Sequence, residues 1–166
     1  AGAEQANQAW RARVVAGAVA TGAPVVVCGD AGWEKLVDKA AVRLRPEVDY
    51  HGPLAGMYAT ARCVLGVGNL LLPRGLTQRH FDVWAAGGFL VSDDTPGLGL
   101  FPDELVREIV YPHPEGAVSL CRKLLAEPAL RADLTRAWRR EILARHTYAA
   151  RVADVLEHLA LCRKPG

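Results

Sequence analysis

No apolar run in this chain reaches the roughly 18 residues that a membrane-spanning helix needs, and the stretch Val14 to Val27 is broken by Gly17, Gly22 and Pro24. A transmembrane anchor is therefore not expected. Charge of one sign is also lacking. Basic and acidic residues number 20 and 18 and are scattered along the chain, so no footprint for nucleic acid or an anionic membrane stands out. The terminal Arg163 and Lys164 are too short a run to supply one. Cys28, Cys63, Cys121 and Cys162 form none of the close pairs that zinc sites and redox motifs use, and buried, reduced thiols are expected. The chain opens on helix-like sequence without a charged n-region, apolar core and cleavage site. No signal peptide is read, and the expected location is the cytoplasm.

What remains is a balance of 51% hydrophobic and 23% charged residues over 166 positions, which suits one soluble, core-forming domain spanning 1–166. Glu4 to Ala20 carries Trp10, Val14, Val15, Ala18 and Val19 on one side, as an amphipathic helix requires. Val25 to Cys28 then forms a continuous apolar run closed by Gly29 and Asp30, which predicts a strand buried on both faces of a parallel sheet. The same grammar recurs at Cys63 to Val67 and at Phe89 to Val91, with weaker strands at Ala41 to Leu44 and Glu108 to Tyr111. Between them, helices are predicted at Trp33 to Ala40, Pro53 to Arg62 and Leu76 to Ala86, the last stopped by Gly87 and Gly88. Three terminal helices follow, with buried stripes expected at Ala117 to Leu125, at Leu130 to Ile142, and at Tyr148, Val152, Val155, Leu156 and Leu159 behind a Thr147 cap. The expected fold is α/β: a Rossmann-like parallel sheet with right-handed crossovers, flanked by helices, and a helical C-terminal segment.

Ligands in such folds bind beyond the carboxyl ends of the strands. That rule selects the loops Gly29 to Gly32, Gly68 to Gly75 and Ser92 to Gly99. In the second, Gly75 precedes the predicted helix, whose first amides, on Leu76, Thr77 and Gln78, would be free to meet a phosphate. Gln78 lies four residues before Asp82, and Gly75, Arg79 and Asp82 are spaced to share one side, so a cation and a carboxylate can flank one ligand. Diphosphate and ribose need that combination: the cation offsets phosphate charge and the carboxylate accepts from neighbouring ribose hydroxyls. Spacing alone also allows Arg79 and Asp82 to be an ordinary surface ion pair.

The stretch from Gly75 to Val91 reads G-L-T-Q-R-H-F-D-V-W-A-A-G-G-F-L-V. It resembles the C-terminal domain of bacterial group-1 glycosyltransferases, specifically the CgeB-like, spore-maturation-type branch. The likeness continues through L-F-P-D at Leu100 to Asp103, E-I-V-Y at Glu108 to Tyr111 and A-R-H-T-Y-A-A-R at Ala144 to Arg151, with Asp49 to Gly52 and Tyr58 upstream. The resemblance implies a domain that holds a nucleoside diphosphate sugar as donor substrate, without a metal or other cofactor, and works with a second, N-terminal domain that holds the acceptor. It implies transfer with retained anomeric configuration and stabilisation of the leaving group by positive groups; Arg79 and Arg74 are the catalytic candidates here, and Gly75, Leu76, Thr77, Gln78 and Asp82 the donor-binding ones. Relatives carry an acid eight positions before the one at Asp82; here that position is Arg74, which could contact phosphate instead. The residues before the first strand supply one helix and cannot build a second Rossmann domain, so this chain alone is not expected to turn over. A non-catalytic module binding a nucleotide or a protein is the alternative; a sugar-nucleotide epimerase would need acid–base residues that are not found.

Other features have structural readings. Gly66-Val67-Gly68 lacks the third glycine of a dinucleotide fingerprint and suits strand-end packing. His51, His80, His113, His146 and His158 show no metal-ligand spacing, and no metal is assigned. Asp93 and Asp94 read as a solvated turn that could alternatively face the cleft. Trp33 reads as a half-buried core residue and Tyr148 as a packing residue.

Overall fold

The computed structural model describes residues 2–68 and 71–162, without the side chains of 160–162. Ala-rich sequence with long side chains makes α1 (Gly2–Val19), which ends where Gly22 takes a positive φ of 79° before Pro24. Strand β1 (Val25–Cys28) pairs in parallel with β2 (Val42–Arg45), Val25 opposite Val42 and Cys28 opposite Arg45. A separate sheet, also parallel, has the order β3 (Val64–Gly66), β4 (Leu90–Asp93), β5 (Val110–Tyr111). The α/β expectation therefore holds, with its parallel strands divided between two small sheets flanked by helices.

The connections are α2 (Leu54–Thr60), α3 (Arg79–Ala85) and α4 (Asp103–Val106), and the chain ends on α5 (Pro114–Ala126), α6 (Pro128–Arg145) and α7 (Tyr148–Cys162). Pro114 and Pro128 each sit in the first turn of their helices, where a missing N–H costs nothing. Thr147 caps α7 as predicted, its hydroxyl accepting from Ala150 N at 3.2 Å.

The main core gathers on β4. Leu90, Val91 and Ser92 are fully buried, and Trp84 of α3 stacks on Trp138 of α6 with ring centroids 4.9 Å apart. Phe101 meets the same Trp138 edge-on, and Phe89 meets Trp84 likewise. A smaller cluster of Val15, Val27 and Val42, with Trp33 packed on it, serves β1 and β2. Adjacent residues of α1 enter both: Val14 the main core, Val15 the smaller one.

Four expectations are corrected. Strand β1 is not buried on both faces, because α1 covers one side only and Val26 stays 49% exposed. The predicted helix at Trp33 to Ala40 is a short 3₁₀ turn, Ala31–Lys35, started by Asp30 accepting from Gly32 N at 2.7 Å. The predicted helix at Leu76 to Ala86 begins three residues late, since His80 folds back on Thr77 and occupies its amide. The stripe on α7 is not buried: Tyr148, Val152, Val155, Leu156 and Leu159 are all exposed, with Tyr148 at 84%, because α7 leans only lightly on α6. Of the thiols, Cys121 is buried, Cys28 and Cys63 are half-buried, and all three are free.

Candidate functional site

Two neighbouring cavities open just past the carboxyl ends of β3 and β4. The larger, about 270 Å³, is lined by Arg11, Tyr50, Tyr58, Gln78, Arg79 and Asp82; the smaller, about 180 Å³, lies against Gly68, Gly75, His80, Asp93, Asp94 and Thr95. Val67 and Thr77 line both, so the cavities share a wall at the turn leading into α3.

Of the predicted site residues, Gln78, Arg79 and Asp82 come together in the larger cavity, Gly75 faces the smaller, and Thr77 stands between them. Arg79 and Asp82 do not pair with each other among the described residues. Gln78 Nε2 donates to Tyr50 Oη at 2.6 Å, and Tyr50 and Asp82 line the same cavity. Desolvation and the Asp82 carboxylate together raise the Tyr50 phenol above its ordinary range.

Arg74 is exposed and lines neither cavity, and Leu76 lines neither as well. The 3₁₀ turn Pro96–Leu100 packs on this segment, with Gly97 close against the Arg74 carbonyl and the backbone of Gly75. The Thr77 amide, expected to be free, donates to His80 Nδ1 at 3.2 Å.

His80 links the two strand-end loops. Its ring is 6% exposed, and Nε2 lies 3.0 Å from Ser92 Oγ, which donates onward to the Asp93 carbonyl at 3.0 Å. With Ser92 spent in that direction, Nε2 carries the proton and Nδ1 accepts from the Thr77 amide and hydroxyl. Burial lowers the His80 pKa, and the neighbouring Arg79 charge lowers it further. Asp93 is corrected from a solvated turn residue: it is partly buried, with Ser92 Oγ 3.5 Å from its Oδ1. Burial raises its carboxyl above the usual range. Asp94 remains exposed.

Arg11 has no counterpart in the sequence reading. It reaches the larger cavity from α1, with its guanidinium carbon 5.8 Å from the centroid of the Trp33 ring and its Nε buried without a partner. The resemblance named Tyr58 only as part of a motif; here it is a wall of the same cavity. Trp33 is half-buried as expected.

Parallel strands with helical connections, and cavities at the strand ends, define a Rossmann-like domain. The glycosyl transferase-like family matches residues 5–157, and the chain belongs to it: this is a glycosyltransferase domain. No curated protein and no solved structure matches the chain. No helix among the described residues is long and apolar enough to cross a membrane.

Proposed function

We propose that this chain is the donor-binding domain of a CgeB-like bacterial glycosyltransferase, and that the larger cavity takes the nucleoside diphosphate part of a nucleotide sugar. The observation that carries this reading is that Asp82 lines one cavity together with two arginines, Arg11 and Arg79. A carboxylate suits the paired hydroxyls of a ribose, and two cations suit a diphosphate; either alone would be unremarkable on a protein surface. Arg79 would also stabilise the charge that develops on the departing nucleoside diphosphate. Arg74, outside both cavities, has no support as a second catalytic cation from its position. The acceptor and the rest of the cleft would come from a second domain, and the uncovered apolar side of α7 suits a chain that packs on another body.

The test is titration of the chain with uridine, guanosine and adenosine diphosphates while backbone amide shifts are followed. At least one should perturb residues 75–82, and Asp82→Asn should weaken that binding about tenfold, the worth of one charge-assisted hydrogen bond. Unmoved amides with all three nucleotides would sink the proposal.

A further inference from the structure

His146 closes α6 and opens the turn into α7. Its amide donates to the Ile142 carbonyl at 2.9 Å, and its side chain, 5% exposed, lies against the rings of Phe81 and Phe101 with centroids 6.0 and 4.9 Å away. The imidazole is therefore fixed to the body of the domain. Its two nitrogens face different helices. Arg151 of α7 donates from Nη2 to Nδ1 at 2.8 Å, while Glu141 of α6 brings Oε1 to 3.4 Å from Nε2. Nε2 is buried and makes no hydrogen bond, so the Glu141 carboxylate acts on it by charge alone.

A guanidinium has donors only, so the bond from Arg151 exists only while Nδ1 is bare and the ring neutral. A proton added at Nδ1 sets two donors and two positive charges against each other across that contact. The same proton strengthens the attraction to Glu141, the only carboxylate facing the ring among the described residues. Charging His146 thus moves its strongest partner from α7 to α6. The remaining charged neighbour is Arg145 of α6, itself 3.7 Å from Glu141, and the Phe81 and Phe101 side brings no charge. Burial and the Arg151 charge hold the His146 pKa below its ordinary value of about 6.5, so the neutral ring prevails above that pH and is lost as pH falls below it. Little else restrains α7. Among the described residues no other side-chain hydrogen bond or ion pair ties it to the chain before Thr147: Thr147 caps it, and Arg151 also meets Asp154 of α7 itself at 3.7 Å.

We propose that His146 and Arg151 form a proton-operated latch, which seats the start of α7 on the domain at neutral pH and releases it in mild acid, redirecting the exposed apolar side of that helix. The experiment is amide hydrogen exchange on the 166-residue chain at pH 7.5 and pH 5.5, with each rate divided by its intrinsic value. One proton shifts the opening equilibrium by at most about tenfold per pH unit, and the amides of 152–158 should open about threefold or more over this range. Arg151→Met should open 152–158 at pH 7.5 and remove their pH response, while the amides of 90–92, whose protection depends also on His80, keep theirs. His146→Asn offers an amide oxygen that accepts from Arg151 at either pH, and should hold α7 closed at both. Should His146→Asn fail to fold, Arg151→Met still decides, because its side chain is 43% exposed. A long-range proton–nitrogen spectrum at pH 7.5 should show Nδ1 of His146 without a proton. The latch is overturned by a proton on Nδ1 at that pH, by wild-type amides of 152–158 that ignore pH, or by either variant keeping the wild-type response there.

Discussion

His80 shows how one side chain can decide what a loop offers. By occupying the Thr77 amide it removes one of the three donors expected for phosphate, and by reaching Ser92 it ties the turn before α3 to the end of β4. Its pKa lies below the unfolded value, so in the window just under pH 6.5 the unfolded chain binds more protons than the folded one. Stability contributed by neutral His80 is therefore full above that window and is lost as pH falls through it. His146, lodged against Phe81 and Phe101, has a pKa lowered by burial and acts in the same direction. The urea midpoint should fall between pH 7.5 and pH 5.5, and His80→Gln should flatten that slope without abolishing it. An unchanged slope would mean that the imidazole titrates freely. At this scale the sequence showed Gln78, Arg79 and Asp82, because residues of one helical turn advertise their shared side through spacing. Arg11, Tyr50 and Asp93 arrive from separate parts of the chain, and no local spacing reports that convergence.

Among the elements, the contrast between β1 and β4 explains the misreading of burial. Both are short apolar runs closed by polar or glycine residues, but helices crowd β4 while α1 alone covers β1. An apolar run records that a strand can be buried, not how many neighbours arrive to bury it. The fit of α2 against α3 is similarly invisible from sequence. A Cβ on Gly88 would lie 2.4 Å from the Tyr58 carbonyl oxygen, a backbone atom that cannot swing aside. Gly88→Ala should cost about 1–3 kcal/mol by overpacking. Gly56, inside α2, has nothing within 4 Å of such a Cβ, and Gly56→Ala should stabilise by up to about 1 kcal/mol through reduced unfolded-state freedom. Chemical denaturation of the two variants checks both signs, and equal effects would refute the packing account.

For the molecule as a whole, alternation of strand and helix made the α/β class legible, because each short apolar run is followed by a helical segment. The division into two sheets was not legible, since strand pairing depends on contacts far apart in sequence. Nor was the uncovered side of α7, whose stripe has the same pattern whether its cover lies in this chain or elsewhere.

The adjacent anchors Val14 and Val15 give α1 a further role. They couple two bodies of unequal depth, and the lesser one, holding β1 and β2, has the fewer buried side chains. Amide protons of 25–28 and 42–45 should exchange with deuterium sooner than those of 90–92, through partial opening that spares the main core. Arg11 rides on that same helix, one turn before the anchors. A nucleotide that grips Arg11 should slow exchange across the lesser sheet, so that a remote pair of strands reports occupancy of a cavity it never touches.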